Sequence, residues 1–253
     1  MKLGAQLYSV RTFLQTENDL RETFFRIKDM GYENVQLSGA PQMDAHFLKS
    51  VSEETGLPIV CTHSPYERII GDTDALIREH GIFGCPVVGI GSMPKEYRGT
   101  KEGMDVFFSS MEDAVKKIRE AGLDFAYHHH SFEFDKFTDY EGCSFDFIEE
   151  MEDWSIILDT YWMEYSGKSA AEYIKRLGGA RLRNVHLKDM KGDDSRDICH
   201  CGAGVLDFGE IARVCGDIGV KNLLVEQDNA PKTDDAFGQM KLSIDYLKQN
   251  IKL

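Results

Sequence analysis

Residues 155–159 read Ser155-Ile-Ile-Leu-Asp159, a brief apolar run closed by a carboxylate. It is too short for a helix and has the make-up of a strand. Seven more runs of this kind lie on either side of it: Leu3–Leu7, Asn34–Leu37, Ile59–Thr62, Val87–Ile90, Leu123–His128, Leu182–Leu187 and Asn222–Glu226. Amphipathic stretches fill the intervals. Asp19–Met30 sets Leu20, Phe24 and Ile27 on one face with Asp19 as its cap. Met104–Ala121 does the same with Phe107, Met111, Val115 and Ile118, and Asp235–Asn250 with Phe237, Met240, Ile244 and Leu247. Gly31, Gly56, Gly84, Gly122 and Gly219 stand where helices should stop, the usual place for a left-handed residue.

Eight βα units repeating at roughly 30 residues are the period of a (β/α)8 TIM barrel. A doubly wound open sheet would open with a glycine-rich phosphate turn, whereas the first strand here runs into Gln6-Leu7-Tyr8-Ser9. No linker or low-complexity segment divides the chain, so residues 1–253 are expected to form one barrel domain. The hydrophobic share of 42% and charged share of 28% suit a globular protein and argue against disorder.

The formal net charge of −14 sets an acidic surface against phosphate backbones and anionic lipid, which disfavours nucleic-acid and membrane roles. No apolar run approaches a membrane span and the first residues lack a signal-peptide pattern, so a cytoplasmic protein is expected. The six cysteines read as reduced thiols. Cys199-His200-Cys201 lacks the second ligand pair of a structural zinc site.

In a TIM barrel the reactive side chains project from the carboxyl ends of the strands. Those ends carry Gln6 and Tyr8, Gln36, His63, a fourth without titratable groups, then His128, His129, His130 and Glu133, Asp159, His186 with Lys188 and Asp189, and Glu226 with Gln227 and Asp228. Any one carboxylate in such a place is more often a helix cap or an ion-pair partner. Three carboxylates and an imidazole at four successive strand ends repel one another unless a cation neutralises them. The pattern therefore points to one divalent ion held by Glu133, Asp159, His186 and Glu226. That oxygen-rich set suits Mn2+ best, then Mg2+, with Co2+ and Zn2+ also compatible. Two coordination positions would be left for adjacent hydroxyl and carbonyl oxygens of a sugar-like substrate.

The segments Gly4-Ala-Gln-Leu-Tyr-Ser-Val-Arg11, Tyr127-His-His-His-Ser-Phe-Glu-Phe134, Leu158-Asp-Thr-Tyr-Trp162, Val185-His-Leu-Lys-Asp189, Gly202-Ala-Gly-Val-Leu-Asp-Phe208 and Val225-Glu-Gln-Asp228 extend over nearly the whole chain. In them the sequence resembles the xylose-isomerase-like TIM-barrel family of sugar phosphate isomerases and epimerases, distant kin of endonuclease IV. The resemblance implies the barrel and the same four metal ligands. It departs at His129, where many relatives carry Asn, and at Gln36, where they often carry Glu. In better studied ketose epimerases the fifth-strand ligand falls near Tyr127, and a carboxylate at the Glu133 position contacts substrate.

The resemblance implies a metal-dependent isomerase or epimerase acting on a sugar, polyol-derived ketone or keto-sugar. Glu133 or Glu226 would remove the proton α to a carbonyl and a metal-stabilised enediolate would result. The alternative is a lyase or dehydratase on the same site with His128 or His130 as base. His63, Gln6, Tyr8, Trp162 and Lys188 are the expected substrate contacts. Strand alternation should turn His128 and His130 to the pocket and His129 away. No cluster of Lys or Arg beyond Lys188 and Arg11 marks a phosphate site, which favours a non-phosphorylated small carbohydrate as partner. A DNA-repair role lacks both the histidines and the basic groove it needs, and a barrel that binds sugar without catalysis sits poorly with intact ligand residues. Relatives often form dimers or tetramers, which leaves a homo-oligomer open.

Overall fold

The computed structural model describes residues 1–252. Eight parallel strands build a nearly closed barrel: β1 Lys2–Gln6, β2 Asn34–Leu37, β3 Ile59–Thr62, β4 Val87–Ile90, β5 Asp124–His128, β6 Ser155–Asp159, β7 Leu182–Leu187 and β8 Asn222–Val225. Ladders link neighbours from β3 through β2, β1, β8, β7, β6 and β5 to β4. The β3–β4 seam is closed by the Ser64 N–H donating to Gly89 O at 2.8 Å and a bridge from Ser64 to Ile90. Every expected strand is present, with ends moved by no more than a residue.

Among the described residues ten α-helices surround the barrel: α1 Glu17–Asp29, α2 Ala45–Thr55, α3 Tyr66–Gly71, α4 Thr73–Phe83, α5 Lys101–Glu120, α6 Ser144–Glu150, α7 Thr160–Tyr165, α8 Ala170–Leu177, α9 Phe208–Asp217 and α10 Ala236–Asn250. Helix α1 begins earlier than its apolar spacing predicts. Thr16 is the cap; its hydroxyl accepts from the Asp19 N–H while the Asp19 carboxylate accepts from the Thr16 N–H. That reciprocal pair satisfies two amides, so Asp19 serves inside the first turn and not as its cap. Helix α5 likewise starts at Lys101 behind the Thr100 cap. The five expected stop glycines all have positive φ.

Apolar faces of the strands and helices form one large cluster that includes Phe24, Phe107, Phe125, Phe145 and Phe208. A smaller cluster of Cys61, Val87, Ala126 and Ile157 is separate from it. On the opposite strands the packing is polar. Asn34 Nδ2 donates to Asn222 Oδ1 at 3.0 Å, and Asn222 Nδ2 to Asn184 Oδ1 at 3.1 Å. This chain of amides passes over β1 at Gly4, where a Cβ would lie 1.8 Å from Asn34 Oδ1. Only glycine fits beneath it.

Parallel register aligns the strand ends. His128 of β5 lies opposite Ile157, Asp159 of β6 opposite His186, and His186 of β7 opposite Leu224, two residues before Glu226. No described helix is long and apolar enough to cross a membrane, and all six cysteines are free.

Candidate metal centre and substrate cavity

Asp159 is the last residue of β6 and also the cap of α7, its Oδ1 accepting from the Trp162 N–H at 3.1 Å. Its other oxygen is thereby turned inward. One ligand atom each from His128, Asp159, His186 and Glu226 lies within 4.8 Å of the others, and all four residues are buried. His186 Nδ1 stands 2.9 Å from Glu226 Oε2 and 3.8 Å from Asp159 Oδ2, and His128 Nε2 stands 3.5 Å from Asp159 Oδ2.

The outward atoms of the group are all engaged. His186 Nε2 donates to Gln36 Oε1 at 2.7 Å, His128 Nδ1 donates to Gly91 O at 3.0 Å, and Gln6 Nε2 donates to Glu226 Oε1 at 2.7 Å. These bonds put the ring hydrogens on the far nitrogens and leave lone pairs facing the centre. His186 Nδ1 is buried without a hydrogen-bond partner, 2.9 Å from Glu226 Oε2. Buried polar atoms are rarely left so, and two electron-rich atoms at such close range call for a cation between them. The donor set fits a divalent ion.

Lys188 supplies part of that charge already. Its ammonium is 2.8 Å from Asp159 Oδ2, 2.9 Å from Glu226 Oε2 and 3.1 Å from Asp228 Oδ2, and it is 1% exposed. Burial works against its charge, but the three carboxylates outweigh it and hold the amine protonated well above the ordinary lysine range. Burial would likewise raise Asp159 and Glu226, yet Lys188 and the neighbouring imidazoles pull both well below the usual carboxylate range. One ammonium leaves two negative charges among the three carboxylates, the deficit a divalent ion would make good.

Glu133 is not part of the group; His128 takes the fourth place. Five residues past the end of β5, Glu133 lies in a 3-10 turn, Phe132–Phe134, that folds it back into the protein. Its Oε1 accepts from the Tyr127 hydroxyl at 2.6 Å and its Oε2 from the His130 N–H at 2.7 Å. Burial raises its carboxyl to about 7 despite both bonds. It braces His130 and does not line the cavity, which corrects its expected parts as ligand and as base. His128, expected as a base, stands among the side chains that could hold an ion.

An open cavity of about 670 Å³ lies above the group, within the range of small-molecule sites. Gln6, Tyr8, His63, His128, His130, Lys188 and Glu226 line it. His63 Nδ1 contacts Ser38 Oγ at 3.2 Å, while His63 Nε2 and His130 Nδ1 are buried and unpartnered. Burial, with help from His128, holds both imidazoles well below the ordinary histidine range. His129 turns away, its Nε2 accepting from the Asp159 N–H at 3.0 Å. Trp162 does not line the cavity as expected; it stands behind His130, rings 5.3 Å apart, and 5.6 Å from Lys188 Nζ. Its place in the first turn of α7 sets it back from the rim. A larger hollow opens at the opposite end of the barrel around Met1, Lys2, Arg213 and Lys221. It is remote from the ligand atoms, and TIM-barrel chemistry sits at the carboxyl ends of strands.

Asp189, next to Lys188, ties down the following loop. Its carboxylate accepts from the N–H groups of Met190, Gly202, Gly204 and Leu206 at 2.8–3.2 Å. At Gly204 a Cβ would come within 2.3 Å of Asp189 Oδ1, so the loop closes on the carboxylate only with glycine there. In the sequence this loop contact is legible only as the spacing of Gly202 and Gly204 after Asp189.

The family model of the xylose isomerase-like TIM barrel matches residues 24–250. Among solved structures, a sugar phosphate isomerase/epimerase from Parabacteroides distasonis superposes with a TM-score of 0.78 at 21% identity, over 98% of each chain. A D-allulose 3-epimerase from a Methylomonas species gives 0.72 at 15% identity, over 99% of this chain and 98% of that one. The IOLI protein with a binding zinc atom gives 0.73 at 13% identity over 100% of both. At such identities these likenesses bear on fold alone. No curated protein matches the sequence.

Proposed function

Because the chain belongs to the xylose isomerase-like TIM-barrel family, we propose that it is a metal-dependent isomerase or epimerase acting on a small carbohydrate-like hydroxyketone or hydroxyaldehyde. One observation carries the reading. Ligand atoms of His128, Asp159, His186 and Glu226 converge beneath an open cavity at the strand ends, with His186 Nδ1 unsatisfied. Structural neighbours that are epimerases of allulose and ribulose agree with it.

Two imidazoles and two carboxylates suit Mn2+, Co2+ or Zn2+ and favour Mg2+ less than the oxygen-rich set expected from sequence. When bound, such an ion polarises a substrate carbonyl as a Lewis acid and makes the adjacent C–H more acidic. The chain's own residues move the proton. Glu226, ionised and held in plane by Gln6, is one accepting group. His63 Nε2 and His130 Nδ1, neutral and unpartnered on the cavity lining, are the other. Removal of the α proton by one set and delivery of a solvent-derived proton through the other would invert a centre; delivery at the neighbouring carbon, with the hydroxyl proton passed to the former carbonyl oxygen, would shift the carbonyl. Lys188, locked among carboxylates, keeps Asp159 and Glu226 ionised and is not a mobile acid.

The test is deuterium exchange from D2O into a panel of ketoses, inososes and 3-keto-glycosides by the Mn2+-, Co2+- or Zn2+-loaded protein. Exchange should occur and vanish in Glu226→Gln; undiminished exchange in that variant overturns the assignment. The unpartnered His130 also supports a second reading, elimination from a keto-sugar with His130 as base. Loss of water or of an aglycone, read by product mass, selects it; unchanged mass selects isomerisation.

A further inference from the structure

The cavity has a cationic corner on its β1–β8 side. Arg11 lies in the 3-10 segment Leu7–Phe13 and Lys232 in the turn Ala230–Lys232; both line the cavity. Arg11 is held rigidly but not neutralised. Its Nη1 donates to Tyr8 O at 2.9 Å and to Asp228 O at 3.0 Å, and its guanidinium lies 4.1 Å above the Tyr8 ring. Both acceptors are backbone carbonyls, so its full charge remains, with the Nε and Nη2 hydrogens uncommitted. Lys232 makes no ion pair among the described residues, and neither does Arg11. That is notable in a chain of net charge −14, where most other cavity charges are matched. The Asp228 carboxylate, which also lines this cavity, is spent on Lys188. Asn229 is also committed, its Nδ2 donating to Ile198 O at 2.6 Å and its Oδ1 accepting from Gln227 Nε2 at 3.0 Å.

We propose that Arg11 and Lys232 form a subsite for an anionic group, carboxylate or phosphate, on the molecule that occupies the cavity. The inference rests on the carbohydrate reading above and narrows it to acidic or phosphorylated sugars. The expectation of a non-phosphorylated carbohydrate counted Lys188 and Arg11 alone; Lys232, more than two hundred residues from Arg11, joins them only in the fold. A rigid fork backed by an aromatic face is preorganised for a planar or tetrahedral oxyanion. The flexible lysine adds charge without geometry. Arg11 is linked to the ligand group through Asp228 and Lys188, and all three line the one cavity, so a single small molecule is the occupant this subsite would serve.

The test measures binding of D-glucuronate, D-glucose 6-phosphate, D-glucose and inorganic phosphate to the full chain by calorimetry, at low and high salt. The anionic sugars should bind roughly tenfold more tightly than glucose, as two partly exposed charge pairs would give, and the margin should shrink with salt. Arg11→Gln and Lys232→Met should each reduce the anionic-to-neutral affinity ratio. Lys232 makes no side-chain hydrogen bond or ion pair among the described residues, so its variant keeps the test valid if Arg11→Gln fails to fold. The two anionic sugars separate carboxylate from phosphate. Equal affinities for all three sugars, ratios unmoved by either substitution, or no binding of any anion would overturn the subsite. Phosphate bound and lost in both variants while no sugar binds would uphold the subsite and instead remove the carbohydrate reading.

Discussion

His186 donates its Nε2 hydrogen to Gln36 Oε1 at 2.7 Å, from β7 to β2 across two intervening strands. That bond leaves Nδ1 bare, and Nδ1 is the atom that faces Glu226 and Asp159. Gln36, which a strand-end reading could only count as a missing acid, is what orients the imidazole.

Gln36→Leu should therefore lower affinity for Mn2+ or Zn2+ by about ten- to a hundredfold, the usual cost of losing a partner behind a ligating histidine. Gln36→Glu keeps an acceptor and should retain most of the affinity. Calorimetric titration with each metal reads both; an unchanged dissociation constant in Gln36→Leu would sink the assignment of Nδ1 as a ligand atom.

Lys188→Met removes the only ammonium among Asp159, Glu226 and Asp228. Breaking such a buried pairing costs about 3–5 kcal/mol, or on the order of 10 °C in Tm for a chain of this size. Addition of a divalent metal should restore more stability to the variant than to the wild type, because metal and ammonium neutralise the same oxygens. Thermal unfolding with EDTA and with Mn2+ checks this; equal metal-induced shifts would count against it.

His80 gives a pH dependence remote from the site. It is 1% exposed, donates Nδ1–H to Leu76 O at 2.8 Å and accepts at Nε2 from Thr62 Oγ1 at 2.9 Å. Burial, the main cause, lowers its pKa to about 4. Between the unfolded value near 6.5 and about 4 the unfolded chain binds the proton and the folded chain does not. Stability from this group is thus complete above pH 6.5 and lost as pH falls toward 4, up to about 3 kcal/mol. Urea unfolding of wild type and His80→Gln at pH 7.5 and pH 5 should show a smaller loss in the variant.

Asp189→Ala removes the acceptor for the N–H groups of Gly202, Gly204 and Leu206. The expected cost is roughly 2–4 kcal/mol, concentrated in that loop. Amide exchange at those three positions should accelerate well beyond exchange in β7; uniform change along the chain would contradict a local clamp.

The barrel was legible because the strands are short, mostly apolar runs with polar or glycine-bearing ends. Asp159, His186 and Glu226 were legible for the same reason. Glu133 was misread because a residue five positions beyond a strand is placed by the turn, not by the strand. Here the Phe132–Phe134 turn swings it to the Tyr127 hydroxyl. His128 was read correctly as inward-facing, but its part depended on Gly91 taking its Nδ1 hydrogen, a contact with another strand's end.

By itself the sequence determined the repeat of eight βα units and which side chains stand at the strand ends, because strand alternation and helical period are local properties of the chain. Only the tertiary structure decided which of those side chains meet and in what charge state. The Gln36–His186 bond, the Lys188 ammonium among three carboxylates and the nearness of Arg11 to Lys232 join residues far apart in the chain. Their positions follow from parallel register and barrel closure, which no local pattern encodes.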